Sequence, residues 1–178
     1  MFKNLRADLR RYRKNPSAKF AKSNLYLFFE QGIWALVVYR FGRWVRGVPI
    51  PIVSHILKLI AFLLFKQIEI VTGISLPASA QIGRGLYIGH FGSIILHSDV
   101  KVGEDCSIGP GVLIGTRGLG KEGIPIIGNH VYIGVGAKIL GGIKIGNNVK
   151  IGANAVVLSD VPDGVTVAGI PAKIVERN

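Results

Sequence analysis

One cysteine and one methionine occur in 178 residues. With Cys106 alone the chain closes no internal disulfide, so packing must hold the fold, and a reducing cytosol is the simplest compartment. Cys106 itself reads as a buried residue of the core. Acidic residues are scarce: 10 Asp and Glu stand against 22 Lys and Arg, for a formal net charge of +12. No uninterrupted apolar run reaches the roughly 18–20 residues that cross a bilayer, because Glu30, Arg40, Arg43, His55, Lys58 and Lys66 break each one. A transmembrane anchor is therefore disfavoured. The first 22 residues are basic and lack an apolar core ending in small residues, so no secretory signal is expected.

What is present divides at about residue 70. Residues 1–70 hold 13 of the Lys and Arg but only 3 of the acidic residues, leaving +10 there and +2 in residues 71–178. Three helices are expected in the first part: "KNLRADLRRYRKNP", with Leu5 and Leu9 four apart and Pro16 as a stop, then "NLYLFFEQGIWALVVYRFGRWVRG" and "PIVSHILKLIAFLLFKQIEIV", parted by the breaker "GVPIP". Helices rich in Trp, Phe and Leu with basic edges either pack as a cap or subunit contact, or lie among the headgroups of an anionic leaflet. The basic residues are interleaved with aliphatic and aromatic runs and no recognition module accompanies them, which excludes nucleic acid as the partner.

In residues 71–178 the grammar changes to a period of six. Ile82, Ile88, Ile94 and Val100 are followed, after a two-residue slip, by Val102, Ile108 and Ile114, and beyond a loop by Ile127, Ile133, Ile139, Ile145, Ile151 and Val157. Gly follows the aliphatic in most of them. Six matches neither the helical 3.6 nor the strand's 2, but it matches a three-sided coil in which each hexapeptide makes one short strand and one corner, and the aliphatics stack inward. The 24 glycines, without a collagen triplet, serve those corners.

This pattern, with "IGRGLYIGH", "VYIGVGAKILGGIKIGNNVKIGANAVVLSDVP" and "VAGIPAKIV", resembles the hexapeptide-repeat acyltransferases. The resemblance implies a left-handed parallel β-helix with an N-terminal α-helical segment, a homotrimer, and acetyl-CoA as acyl donor with no metal. Within the superfamily the likeness is to serine acetyltransferases and their polysaccharide-modifying relatives. It makes His90 the general base, and imidazole, with a pKa near neutrality, suits removal of a proton from an attacking hydroxyl. His55 is read as structural or interfacial, His97 as a residue that could point from the same face one coil on, and His130 as a turn residue, and the seven-residue gap between His90 and His97 is not the His-x4-His pair of the carbonic anhydrases that share this coil.

The same match assigns the donor. Gly115 and Thr116, opening the loop "GTRGLGKEGIP", would lie by the pantetheine arm, Gly134 and Val135 would offer it backbone groups, Ala153 would follow on the same edge, and Lys173 would meet the phosphates, with Lys138 and Lys150 as helpers. Gly89, Gly123, Ile124 and Ser75 stand where serine acetyltransferases carry charged or imidazole groups. An amino-acid zwitterion needs such groups, and the polysaccharide-modifying relatives resemble this chain further in having hydrophobic helices before the repeat, so the expectation is a sugar hydroxyl of a capsular, exopolysaccharide or lipid-linked saccharide, closest to the colanic-acid-type O-acetyltransferases. Serine O-acetylation and a non-catalytic trimeric subunit are the alternatives. The expected location is cytoplasmic, at the inner face of a membrane if the helices touch lipid.

Overall fold

The computed structural model describes residues 2–14, 26–118 and 123–175. Helix α1 (Phe2–Lys14), a 3-10 turn (Tyr26–Phe29), α2 (Gln31–Val45) and α3 (Pro51–Thr72) come first. Pro16 lies outside the described residues. Pro51 opens α3 in its first turn, where no backbone donor is needed, and Gly73 closes it with a left-handed φ of 66°.

From Ile74 onward the chain winds into a parallel β-helix. Its first sheet stacks β1 (Ile74–Ser75), β4 (Ile94–Leu96), β7 (Leu113–Gly115), β10 (Lys138–Leu140) and β13 (Val156–Val157). The second holds β2 (Gln81–Ile82), β5 (Lys101–Val102), β8 (Ile126–Ile127) and β11 (Lys144–Ile145). The third holds β3 (Tyr87–Ile88), β6 (Ser107–Ile108), β9 (Tyr132–Ile133), β12 (Lys150–Ile151) and β14 (Thr166–Gly169), closed by β15 (Ala172–Ile174) running antiparallel. Successive strands visit successive sheets, so each circuit lays one strand on each face of a triangular prism.

The period of six becomes columns. Ile82, Val102, Ile127 and Ile145 are in register on one face, and Ile88, Ile108, Ile133, Ile151 and Val167 on another, all buried. Asp105, His130 and Asn148 stand three residues after an inward aliphatic with φ near +55°, the left-handed corner that Asn and Asp tolerate. His130 is thus a corner residue like its neighbours above and below.

One detail of the repeat is corrected. The two-residue slip, placed by sequence between Val100 and Val102, falls in the structure between Ile88 and Leu96. Leu96 pairs with Ile114, and Ile95 with Leu113, so that corner of the first rung, residues 89–95, is two residues longer than its counterparts. His90 sits on it.

A solenoid leaves an open edge at each end. Below the first rung the edge is filled by side chains of α1 and α2. The Tyr12 hydroxyl donates to the Ile88 carbonyl at 2.9 Å and accepts from the Ile88 N–H at 3.1 Å. Tyr39 donates to the Ala80 carbonyl at 2.8 Å and accepts from the Ile82 N–H at 3.0 Å. Asp8 and Arg40, both buried, are joined at 2.9 Å and 3.1 Å. Asp8 accepts from the N–H groups of Gly85 and Leu86, while Arg40 donates to the carbonyls of Ile82 and Gly83. Gly32 permits this approach, since a Cβ there would lie 2.6 Å from the Ile88 carbonyl oxygen. The helices expected to cap, contact a subunit or dock therefore do cap, through α1 and α2.

α3 differs. The charges that break its apolar run do not break the helix: its 22 residues, with a mean hydropathy of 1.5, are long and apolar enough by length and composition to cross a membrane. Ser54, Leu57, Ala61, Leu64 and Ile68 form its less exposed side, and most of the remainder is exposed.

Removing Asp8 leaves the Arg40 guanidinium buried without its anion. Asp8→Ala is expected to cost about 3–5 kcal/mol in urea unfolding, whereas Arg84→Ala, breaking an exposed pair with Glu104, should cost about 1 kcal/mol or less. Burial also raises the phenol pKa of both Tyr12 and Tyr39. Their contribution is intact below the unfolded phenol's pKa of about 10 and declines as pH rises beyond it, so the melting temperature should fall above about pH 10 and fall less steeply in Tyr39→Phe.

Candidate active site

Register defines a track on the corner between the third and first sheets. Ile88, Ile108, Ile133 and Ile151 are paired rung to rung, and in the regular rungs the residues two further on, Pro110, Val135 and Ala153, rise in one column. In the first rung the place below Pro110 is taken by Gly92, whose carbonyl accepts the Gly111 N–H as that of Pro110 accepts the Gly136 N–H, and His90 stands on the longer corner at the foot of the column. Beside the column run Gly109, Gly134 and Gly152. At Gly134 a Cβ would stand 2.7 Å from the Ala153 nitrogen, so the backbone there is necessarily bare. Above Gly152 lies Ala168, whose partner across the terminal hairpin is Lys173. At about 4.8 Å per strand, Ala153 stands roughly 14 Å above the rung of His90, Ala168 about 19 Å, and Lys173, one strand further, about 24 Å.

The long corner carries His90 outward. Gly92 and Ser93 have φ of 109° and 51°, and the corner is pinned by bonds from the Gly92 N–H to the Thr72 carbonyl and from the Ile94 N–H to the Gly73 carbonyl, each 3.0 Å. His90 is exposed and, among the described residues, has no hydrogen-bond or ion-pair partner within the chain. Ser75 donates to Glu69, which with the stronger bond from Lys66 holds that carboxyl below its usual range. The other histidines are engaged or structural: His55 Nδ1 meets the Pro51 carbonyl, and His97 Nδ1 accepts the Asp99 N–H.

The expected donor residues are thus split. Gly134, Val135 and Ala153 share the track, with His90 on the longer corner at its foot and Lys173 on the terminal hairpin at its top. Gly115 and Thr116 lie at the far edge of the first sheet, where Gly115 pairs with Leu140 and its carbonyl accepts the Gly141 N–H. The loop that they open includes residues 119–122, outside the described residues. The backbone expected to serve the donor is largely spent on the coil: Gly134 donates to Ile151 and accepts from Ala137, and the Val135 carbonyl accepts from Asn154. Lys138 is a brace, its ammonium bonded to the Gly111 carbonyl one rung below. Lys150 is exposed on the third sheet. Sequence reasoning missed Gly109, Pro110 and Gly152, which the glycine after each aliphatic would have revealed had the repeats been aligned vertically. Among the described residues no three His, Cys, Asp or Glu side chains converge as a metal site.

A three-sided parallel coil of hexapeptides, with an exposed imidazole at one corner, defines a hexapeptide-repeat acyltransferase. The model of the bacterial transferase hexapeptide (six repeats) matches residues 124–159. A serine acetyltransferase of Synechococcus elongatus is 36% identical over 182 residues, covering all of this chain and 70% of that protein. The crystal structure of a serine acetyltransferase of Neisseria gonorrhoeae superimposes with a TM-score of 0.82 at 35% identity, over 99% of this chain, which spans 65% of that one. A serine acetyltransferase solved as a complex with CoA superimposes equally well, at 0.82 and 31% identity, over 97% of this chain and 68% of that one. The chain belongs to the serine acetyltransferase family, and its coil is the left-handed β-helix.

The expected sugar acceptor is corrected by these relatives. It rested on four uncharged positions and on apolar helices ahead of the repeat. The helices do not discriminate, because the Neisseria enzyme's structure matches 99% of the chain, helices included. Likeness along the entire length outweighs four positions.

Gly134→Ala is expected to destabilise the chain by about 1–3 kcal/mol through overpacking, read as a shift in urea midpoint. Ala153→Gly, at an exposed position without that contact, should leave the midpoint within about 1 kcal/mol.

Proposed function

We propose that the chain is an acetyl-CoA-dependent O-acetyltransferase acting on the hydroxyl of L-serine, with His90 as general base. The observation that carries this reading is the 36% identity with a serine acetyltransferase along the whole chain. The track supports it: a strip of bare backbone flanked by small apolar residues, ending at a lysine, suits a long thin thioester carrier with an anionic end. His90 removes the hydroxyl proton as the oxygen bonds to the thioester carbonyl carbon. Collapse breaks the carbon–sulfur bond, and the imidazolium returns the proton to the departing sulfur, giving the O-acetyl ester and a free thiol.

The assembly that fits is a homotrimer. The first sheet shows Ile95, Leu113 and Val156 on its outer side, with Lys138 in register between the last two and its ammonium bonded to the Gly111 carbonyl, a largely apolar face suited to a like surface. Its two edges carry the two halves of the donor set, so a threefold rotation brings the His90 corner of one protomer against Gly115 and Thr116 of the next, and supplies a wall that the open corner lacks. The cytoplasm is the compartment this chemistry fits.

Protein mixed with acetyl-CoA and L-serine should release free thiol. The chain's own thiol does not interfere, because burial pushes Cys106 up to about 11 and it is enclosed in the coil. Gly89, Gly123, Ile124 and Ser75 offer a serine zwitterion no charged partner, so the expected weakness lies in KM for serine rather than in kcat. His90→Gln should lower kcat by about 10²–10⁴ with an unchanged melting temperature. No thiol release at saturating L-serine, with acetyl-CoA bound, would overturn the acceptor.

A further inference from the structure

Arg117 follows Thr116 at the far edge of the first sheet, is exposed, and has no hydrogen-bond or ion-pair partner among the described residues. Its place is nonetheless defined. The stem lies against Gly141 on the rung above, where an added Cβ would stand 3.5 Å from the Arg117 Cβ and 3.8 Å from its Cδ. The described charges on this sheet and its edge are already used: Lys138 is bonded to the Gly111 carbonyl, and His97 and Asp99, on the rung below, meet each other.

Height decides what Arg117 can meet. His90 stands on the corner that leads into β4, and Arg117 comes just after β7, the strand stacked on β4. The two therefore differ in height by little more than one rung, roughly 5–6 Å, whereas Lys173 lies about 24 Å above the rung of His90. An extended thioester carrier with its phosphates at Lys173 and its carbonyl at His90 brings only neutral groups to the level of Arg117. The anion left for that level is one carried by the acceptor.

We propose that Arg117 of one protomer holds the carboxylate of the acceptor whose hydroxyl lies at His90 of its neighbour. This rests on the serine reading and on the threefold assembly: the rotation that sets Gly115 and Thr116 against the His90 corner carries Arg117 with them. A planar guanidinium takes a carboxylate in two parallel hydrogen bonds, so this one side chain fixes which end of an amino acid enters the cleft. The corner of a single protomer offers the acceptor a base and no counter-charge, and the neighbour supplies the cation. The pole left without a partner is the ammonium, and the weakness in KM belongs to it.

The test compares L-serine with L-serinamide, whose carboxylate is replaced by a neutral amide, by release of free thiol from acetyl-CoA. Arg117→Gln should shift the ratio of kcat/KM toward the amide by at least about tenfold, through KM and with unchanged melting temperature, as loss of a charge-assisted bond predicts. Arg117→Lys should recover part of that shift. Mixed trimers, from equal co-expression of His90→Gln and Arg117→Gln chains, test the sharing between protomers. About one site in four then joins an intact His90 to an intact Arg117, so about a quarter of the parent's turnover should appear at limiting L-serine, well above either variant alone. A parent that binds acetyl-CoA yet acetylates neither compound would sink the serine reading together with this proposal. A parent active on L-serine, with Arg117→Gln unchanged in its preference, would remove the role of Arg117 and leave that reading standing. Mixed trimers no more active than their parts would refute the sharing of the site across the interface.

Discussion

A stack of two-residue strands has little to hold its first member. Each rung is ordered by the rung beneath it, and the lowest has none, so the β-helix depends on what satisfies that edge. Here two phenols and one buried ion pair do so: Tyr12 and Tyr39 each donate to and accept from the first rung, and Asp8 with Arg40 covers the donors and acceptors between them. The helical segment is consequently part of the coil's folding unit. A buried pair whose partners each meet backbone as well is costly to break singly.

The same floor positions the chemistry. Tyr12 grips Ile88, two residues before His90, and the end of α3 holds Gly92 and Ile94 just after it. The long corner is fixed on both sides by helix, and the imidazole projects from a clamped bulge at the foot of a track of bare backbone. In the proposed role of His90 as base, a backbone clamped on both sides limits where the imidazole can approach a hydroxyl.

α1 and α2 spend their apolar and polar groups on the coil, but α3 spends only one side. A helix with two apolar sides and one neighbour leaves surface that must be covered by something outside the single chain.

Much of this was legible in the residues. The period of six set the columns because every sixth side chain must point inward in a three-sided coil, and the "IG" pairs set the corners; His90 stood out because it broke that grammar. The place of the slip was not legible, since Ile94, Leu96 and Val100 are all apolar and all buried, and only strand pairing tells which of them faces Ile114. The acceptor inferred from four uncharged positions failed because the chain's likeness extends through segments that those positions do not represent. Sequence by itself determined the coil, its corners and the candidate base, because these depend on local spacing. Tertiary structure alone decided that Asp8, 77 residues from the Gly85 N–H it accepts, closes the first rung, and that Gly115 and His90 lie on opposite edges of one sheet, because such contacts arise only when distant segments are stacked in space.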